Sequence, residues 1–111
     1  MANELPILDK SAALESTGGD EDLAQLLLET CLEESPRLIQ DARDAVAGGD
    51  FVVARRCGHS LKSSFGVVGA AVAAAAAEKL EFIELDDRSA FDQAISSVAA
   101  ALQQLTEQAN R

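Results

Sequence analysis

The sequence predicts an all-α fold, an antiparallel up-down four-helix bundle with a short additional N-terminal helix, forming one domain over residues 1–111. Three observations carry this prediction. Ala (21) and Leu (14) supply 35 of the 111 residues, while Val, Ile and Thr together supply 14 and Tyr and Trp are absent. That balance favours helix and disfavours an all-β fold. Capping residues and glycine pairs punctuate the chain at helical intervals. The connections they leave are short, which makes consecutive helices antiparallel neighbours. A chain of this length holds one core and is too short for two.

The elements follow in order. Asp9 caps a short helix that stops at Thr17-Gly18-Gly19. Asp20 caps a long one reaching about Ala47, with Glu21 and Asp22 well placed in its first turn. Its predicted inward arc contains Leu23, Leu27, Cys31, Leu38, Ala42 and Ala45, and Pro36 is expected to kink it or divide it in two. Gly48-Gly49 ends that helix, and Asp50 caps the next, predicted over residues 51–65. After a break at Gly66-Val67-Val68-Gly69, helix resumes from Ala70 to about Leu85, where the alanines from Ala73 to Ala77 permit close helix approach. Ser89 is the predicted cap of the last helix, in which Phe91, Ile95, Val98, Leu102 and Leu105 form a bundle seam.

Composition removes several function classes. Nine basic residues against 19 acidic ones leave a formal charge of −10, a poor basis for nucleic-acid binding. The longest charge-free run, residues 63–77, is too short and too interrupted by Ser and Gly to span a membrane. The beginning of the chain, with Glu4 and no basic cluster, does not read as a secretory signal. Cys31 and Cys57 form neither a disulfide framework nor a Cys-x-x-Cys pair, so a reducing, cytoplasmic setting is expected. Both cysteines fall on inward arcs and read as small buried hydrophobes.

His59 is the only histidine, and its helical phase sets it apart. Phe51, Ala54, Cys57, Gly58, Leu61, Ser64 and Phe65 share one broad arc, whereas His59 falls on the opposite side, at about 80° if Phe51 is set to zero. Val52, Arg55, Arg56, Lys62 and Ser63 surround it. Residues 51–77 contain no acidic residue, yet three of the nine basic ones lie within residues 55–62. Arg55 at i−4 and Lys62 at i+3 are both placed to lean over the imidazole. An exposed histidine ringed by cations suits a side chain that will itself carry negative charge. Imidazole, with an ordinary pKa of about 6.5, attacks phosphorus without a separate base, and cations nearby neutralise the phosphoryl oxygens. The chain has no P-loop, no nucleotide-binding glycine loop and no Asp cluster for Mg²⁺ beside His59, so it is expected to carry phosphate rather than generate it, with no cofactor or metal of its own. Cys57 and His59, two residues apart on a helix, point too far from each other to share a metal.

The segment Gly49-Asp50 … Arg56-Cys57-Gly58-His59-Ser60-Leu61-Lys62-Ser63-Ser64 … Gly69-Ala70 resembles the histidine-containing phosphotransfer (HPt) domain. The similarity extends to Ile7-Leu8-Asp9, Gly18-Gly19-Asp20, Leu32-Glu33-Glu34-Ser35-Pro36 and Leu80-Glu81. The resemblance implies a phosphorelay intermediate. His59 would be the phosphoacceptor, through Nε2, Lys62 the phosphate-stabilising cation, and Gly69 the turn after the active-site helix. Donor and acceptor would be aspartates of receiver domains, in response regulators or hybrid histidine kinases, with Mg²⁺ brought by the receiver. Val52, Arg55, Arg56, Ser63 and Gly66 are the expected docking residues. Two positions depart from the common pattern: Gly58 stands where Ala is usual, and Ser63 where Gly is usual. The alternative reading is a receiver-binding scaffold that transfers nothing. A monomer is expected, although the pattern bears little on self-association. The acidic clusters at Glu33-Glu34 and between Glu78 and Asp87 read as solvated faces.

Overall fold

Four aspartates start four of the five helices. Asp9, Asp20, Asp50 and Asp87 accept hydrogen bonds from the backbone N–H groups of Ala12 (3.1 Å), Leu23 (3.0 Å), Val53 (3.2 Å) and Ala90 (3.0 Å). Each satisfies one of the donors that a helix start leaves without a partner. In this computed structural model, which describes residues 4–111, the helices are α1 (Lys10–Ser16), α2 (Glu21–Ala47), α3 (Phe51–Val67), α4 (Ala71–Glu81) and α5 (Arg88–Ala109). The first three residues of the predicted domain lie outside the described ones. Among the described residues there is no strand, and no helix is long and apolar enough to cross a membrane.

The side chains that meet across each seam fix the topology. Arg55 meets Ile83, Gly58 faces Leu80 and Glu81, and Lys62 reaches Glu78, so α4 descends as α3 ascends. Leu27 and Glu34 of α2 share a groove with Ser63 and Val67 of α3. Val72 lies across a groove from Gln104, and Ile83 shares one with Ala90, which sets α5 against α4 in the same alternating sense. Contacts between α2 and α5 close the ring, and α1 packs on α2 and α3. The interior holds Leu61, Phe65, Leu80, Phe91, Ile95, Val98 and Leu105, all essentially without solvent contact. The predicted α5 seam is thus the observed one.

The segment before α1 closes the end of the bundle. The Asp9 N–H donates to the Gly69 carbonyl at 2.8 Å, and the Val72 N–H donates to the Pro6 carbonyl at 3.1 Å. The second bond serves the start of α4, the one helix without a side-chain cap. Gly69 has φ +76°, and a Cβ there would collide with the Asp9 carbonyl, so this turn requires glycine.

Several boundaries differ from the sequence expectation. Helix α2 runs through Pro36 without dividing. Proline removes the donor that would serve the Leu32 carbonyl, but Pro36 lies on the exposed side, where water can take its place. The buried face of α2 is Leu28, Cys31, Ser35, Ile39, Ala42 and Val46, rotated by about one residue from the predicted arc. Leu27, Leu38 and Ala45 lie at its edge, and Leu23 is exposed. The rotation arises because α2 packs between α3 and α5, so its buried stripe points between them. Helix α3 continues two residues beyond Phe65, whereas α4 stops at Glu81 rather than near Leu85. Beyond that stop, the Arg55 guanidinium takes the Ile83 carbonyl. Asp87 rather than Ser89 caps α5, since its carboxylate reaches the Ala90 N–H.

Leu61 has no solvent exposure. Replacing it with Ala should destabilise the protein by about 2–5 kcal/mol in chemical denaturation. A loss below about 0.5 kcal/mol would contradict the packing described.

Candidate functional site

Helix α3 buries Ala54, Cys57, Gly58, Leu61 and Phe65. The same phase turns His59 outward, with 61% of its side chain exposed. It does not stand alone. Glu81, the last residue of α4, places Oε1 2.7 Å from His59 Nδ1 and Oε2 3.4 Å from Lys62 Nζ. Lys62 also lies 4.0 Å from Glu78 Oε2, and its ammonium sits 5.9 Å from the centre of the Phe82 ring. One carboxylate therefore bridges the imidazole and the lysine.

The electrostatics of this bridge assign the imidazole proton. The hydrogen bond from His59 is the main influence that lowers the Glu81 carboxyl below its ordinary value of 4.5; the hydrogen bond and charge of Lys62 act the same way, and burial opposes them. An ionised carboxylate only accepts hydrogen bonds, so His59 Nδ1 is the donor. In the neutral ring the proton then resides on Nδ1, and the lone pair of Nε2 is free. The neighbouring carboxylate thus selects which ring nitrogen of the exposed imidazole is left unprotonated.

The sequence-predicted residues fall into three groups. His59 and Lys62 share a face and are joined through Glu81. Val52, Arg56, Ser63 and Gly66 are exposed on α3, Val52 among the most exposed large apolar side chains. Arg55 departs from expectation. Its Nε donates to the Ile83 carbonyl at 2.7 Å and its Nη2 to the same oxygen, so it binds the chain after α4 rather than leaning over the imidazole.

The absence of acidic residues from 51–77 likewise gave only half of the local charge pattern, because α4 brings Glu78 and Glu81 across the seam to Lys62. Glu81, read from sequence as part of a solvated acidic cluster, has a side chain only 17% exposed. Its position one turn from the predicted end of α4 gave no sign of this. The end of α4 also presents Phe82, 67% exposed.

Cys31 and Cys57 are free and buried, and burial raises both thiols above their ordinary range, which makes them poor nucleophiles. Among the described residues no group of three His, Cys, Asp or Glu side chains is placed to hold a metal ion.

Comparison with known proteins gives this geometry a family. The solved structure of histidine-containing phosphotransfer protein B (HptB) from Pseudomonas aeruginosa PAO1 aligns over 97% of this chain and 98% of that one, with a TM-score of 0.73 and 23% sequence identity. At that identity the likeness establishes the fold. No curated protein sequence matches the chain. The family model described as "Hpt domain" matches residues 26–110, which include all of α3, α4 and α5 and most of α2. The chain therefore belongs to the Hpt domain family, the phosphocarrier modules of two-component relays.

Proposed function

We propose that His59 accepts a phosphoryl group on Nε2 from an aspartyl phosphate of one receiver domain and passes it to an aspartate of another. The observation that carries this reading is an exposed imidazole whose Nδ1 is hydrogen-bonded to an ionised carboxylate. In the first transfer, the Nε2 lone pair forms a bond to phosphorus while the phosphorus–oxygen bond of the acyl phosphate breaks. The receiver aspartate leaves as a carboxylate with the bonding pair. His59 keeps its Nδ1 proton throughout, so the ring becomes cationic as the N–P bond forms. Glu81 offsets that charge at hydrogen-bond distance. Transfer onward reverses the same steps. No general base is needed, because the attacking nitrogen carries no proton.

Lys62 is the cation for the phosphoryl oxygens. It rests on Glu81 and Glu78 in partly exposed contacts, which are of the weakly stabilising kind and exchange readily for a dianion. The docking face is the exposed side of α3 around His59, with Val52, Arg56, Ser63 and Gly66, and Phe82 joins it from the end of α4. Arg55 supports this face through Ile83 rather than touching the partner. Mg²⁺ would arrive bound to the receiver. The carrier has no part in ATP chemistry in this reading, and its donors and acceptors are receiver domains of response regulators or hybrid histidine kinases.

The test is incubation of the protein with a phosphorylated receiver and Mg²⁺. Wild type should acquire an acid-labile, base-stable phosphoryl group. His59→Gln should fold and acquire none; label retained on this variant would overturn the assignment. Lys62→Ala should slow transfer about 10- to 100-fold, the loss of a charge-assisted hydrogen bond to phosphate, while stability changes by less than about 1 kcal/mol. A large stability loss with normal transfer would contradict its role.

Acid should also dissolve the bridge. Because the Glu81 carboxyl binds its proton more weakly folded than unfolded, ionisation favours the folded state. This stabilisation is complete above the ordinary value of 4.5 and disappears as pH falls through the lower folded value. The stability gap between wild type and Glu81→Gln should therefore be fully open above pH 4.5 and shrink steadily as pH falls below it. A gap of constant size across that range would contradict the ionised bridge.

A further inference from the structure

We propose that Gly58 is a positioning residue, whose missing side chain lets the last turn of α4 close on α3 so that Glu81 reaches His59. Its consequence for transfer rests on the relay reading above; its geometry does not. A Cβ built on Gly58 would lie 2.9 Å from the Glu81 backbone N, 3.0 Å from Leu80 Cγ and 3.1 Å from Leu80 Cβ. None of these atoms has freedom to retreat. The nitrogen belongs to the backbone of the residue that holds His59, and Leu80 is 1% exposed and packed in the core. A side chain at position 58 must therefore push the end of α4 away, and the Glu81 carboxylate moves with its backbone.

The neighbouring contacts show how narrowly this seam is set. Arg55 grips the Ile83 carbonyl, two residues beyond Glu81. Lys62 holds Oε2 of the same carboxylate whose Oε1 takes His59 Nδ1. Residues 55, 58, 59 and 62 of α3 thus all address the end of α4 and the chain just beyond it, at Leu80, Glu81 and Ile83. Gly58 stands where a Cβ would meet the α4 backbone. A displacement of a few tenths of an ångström there lengthens a 2.7 Å hydrogen bond, and such bonds weaken steeply with distance and misalignment.

The chemical consequence is a change of tautomer. Once the Nδ1–H loses its acceptor, the neutral ring drifts toward the Nε2–H form that unconstrained histidine favours. The lone pair then lies on Nδ1, on the side facing α4, while the exposed nitrogen carries a proton. Only the fraction still in the Nδ1–H form can accept a phosphoryl group, so the rate falls in proportion to that fraction. Glycine in mid-helix weakens the helix, and close approach of Glu81 is what this position gains in exchange.

The experiment is ¹⁵N NMR of the His59 ring near pH 8 in the unphosphorylated protein. Wild type should show Nδ1 protonated and Nε2 unprotonated. Gly58→Ala should shift the folded protein toward protonated Nε2 and slow phosphoryl uptake roughly three- to tenfold. Adding Glu81→Ala to Gly58→Ala should produce no more than Glu81→Ala alone, since both act through one contact. Wild-type ring shifts in Gly58→Ala, a wild type already protonated on Nε2, or fully additive effects in the double variant would each overturn the proposal.

Glu81→Asp supplies the same test without overpacking, by shortening the reach of the carboxylate. It should lose the Nδ1–H form, and its retention would show that spacing is not limiting. The NMR readout needs no receiver. If wild type takes no phosphoryl group from any receiver, the relay reading fails while the ring shifts still decide the role of Gly58.

Discussion

A carboxylate at the end of one helix and an imidazole in the middle of the next can meet only where the two backbones are close and antiparallel. The seam between α3 and α4 supplies both conditions. Leu61 and Phe65 of α3 and Leu80 of α4 are fully buried, which fixes the rotation of each helix about its own axis. That rotation alone sends His59 outward and brings Glu81 to the edge of the seam. Gly58 removes the last obstacle to contact. The chemistry of the site is in this sense a by-product of helix packing: core side chains choose the phase, and the phase chooses which polar groups become neighbours.

The bridge also shows how one cation is kept beside His59 on a protein of net charge −10. Lys62 does not face water alone; Glu78, Glu81 and the Phe82 ring surround its ammonium. These contacts are partly exposed, and such ion pairs contribute at most about 1 kcal/mol. The lysine is held near His59 without being committed to it. Arg55 shows the opposite design. Its guanidinium makes two hydrogen bonds to a single backbone oxygen in a part-buried setting, and it serves the frame that holds the site. Two cations on one face thus divide into a movable one and a fixed one according to what their partners are.

Much of this was legible in the sequence, for identifiable reasons. Asp9, Asp20 and Asp50 announce helix starts because capping is a local interaction, decided within three residues. The α5 seam at Phe91, Ile95, Val98, Leu102 and Leu105 could be read because its periodicity is unbroken. The outward direction of His59 followed from the phase of its own helix. Helix ends were harder. Nothing within α4 stops it at Glu81; the early end goes with Arg55, more than 20 residues away in the chain. The rotation of α2 likewise depends on having neighbours on two sides, which no single-helix pattern contains.

Glu81 shows where such reading ends. Its motif, Leu80-Glu81, was visible, and the cluster of acidic residues around it was visible too. A wheel drawn for α4 alone gives no reason to separate Glu81 from Glu78 or Glu84. What separates them is register, the offset that sets Glu81 rather than Glu78 opposite His59. The turn at Gly69, with φ +76°, and the Pro6 carbonyl that accepts from the Val72 N–H hold the start of α4, from which that offset is counted. A residue at the far end of the helix is thereby positioned by contacts at its beginning. The hydrogen bond at His59 Nδ1 is thus framed in part by a turn of chain that never touches the imidazole, and the N-terminal segment, by bonding to that turn, supports the seam in which Glu81 and His59 meet.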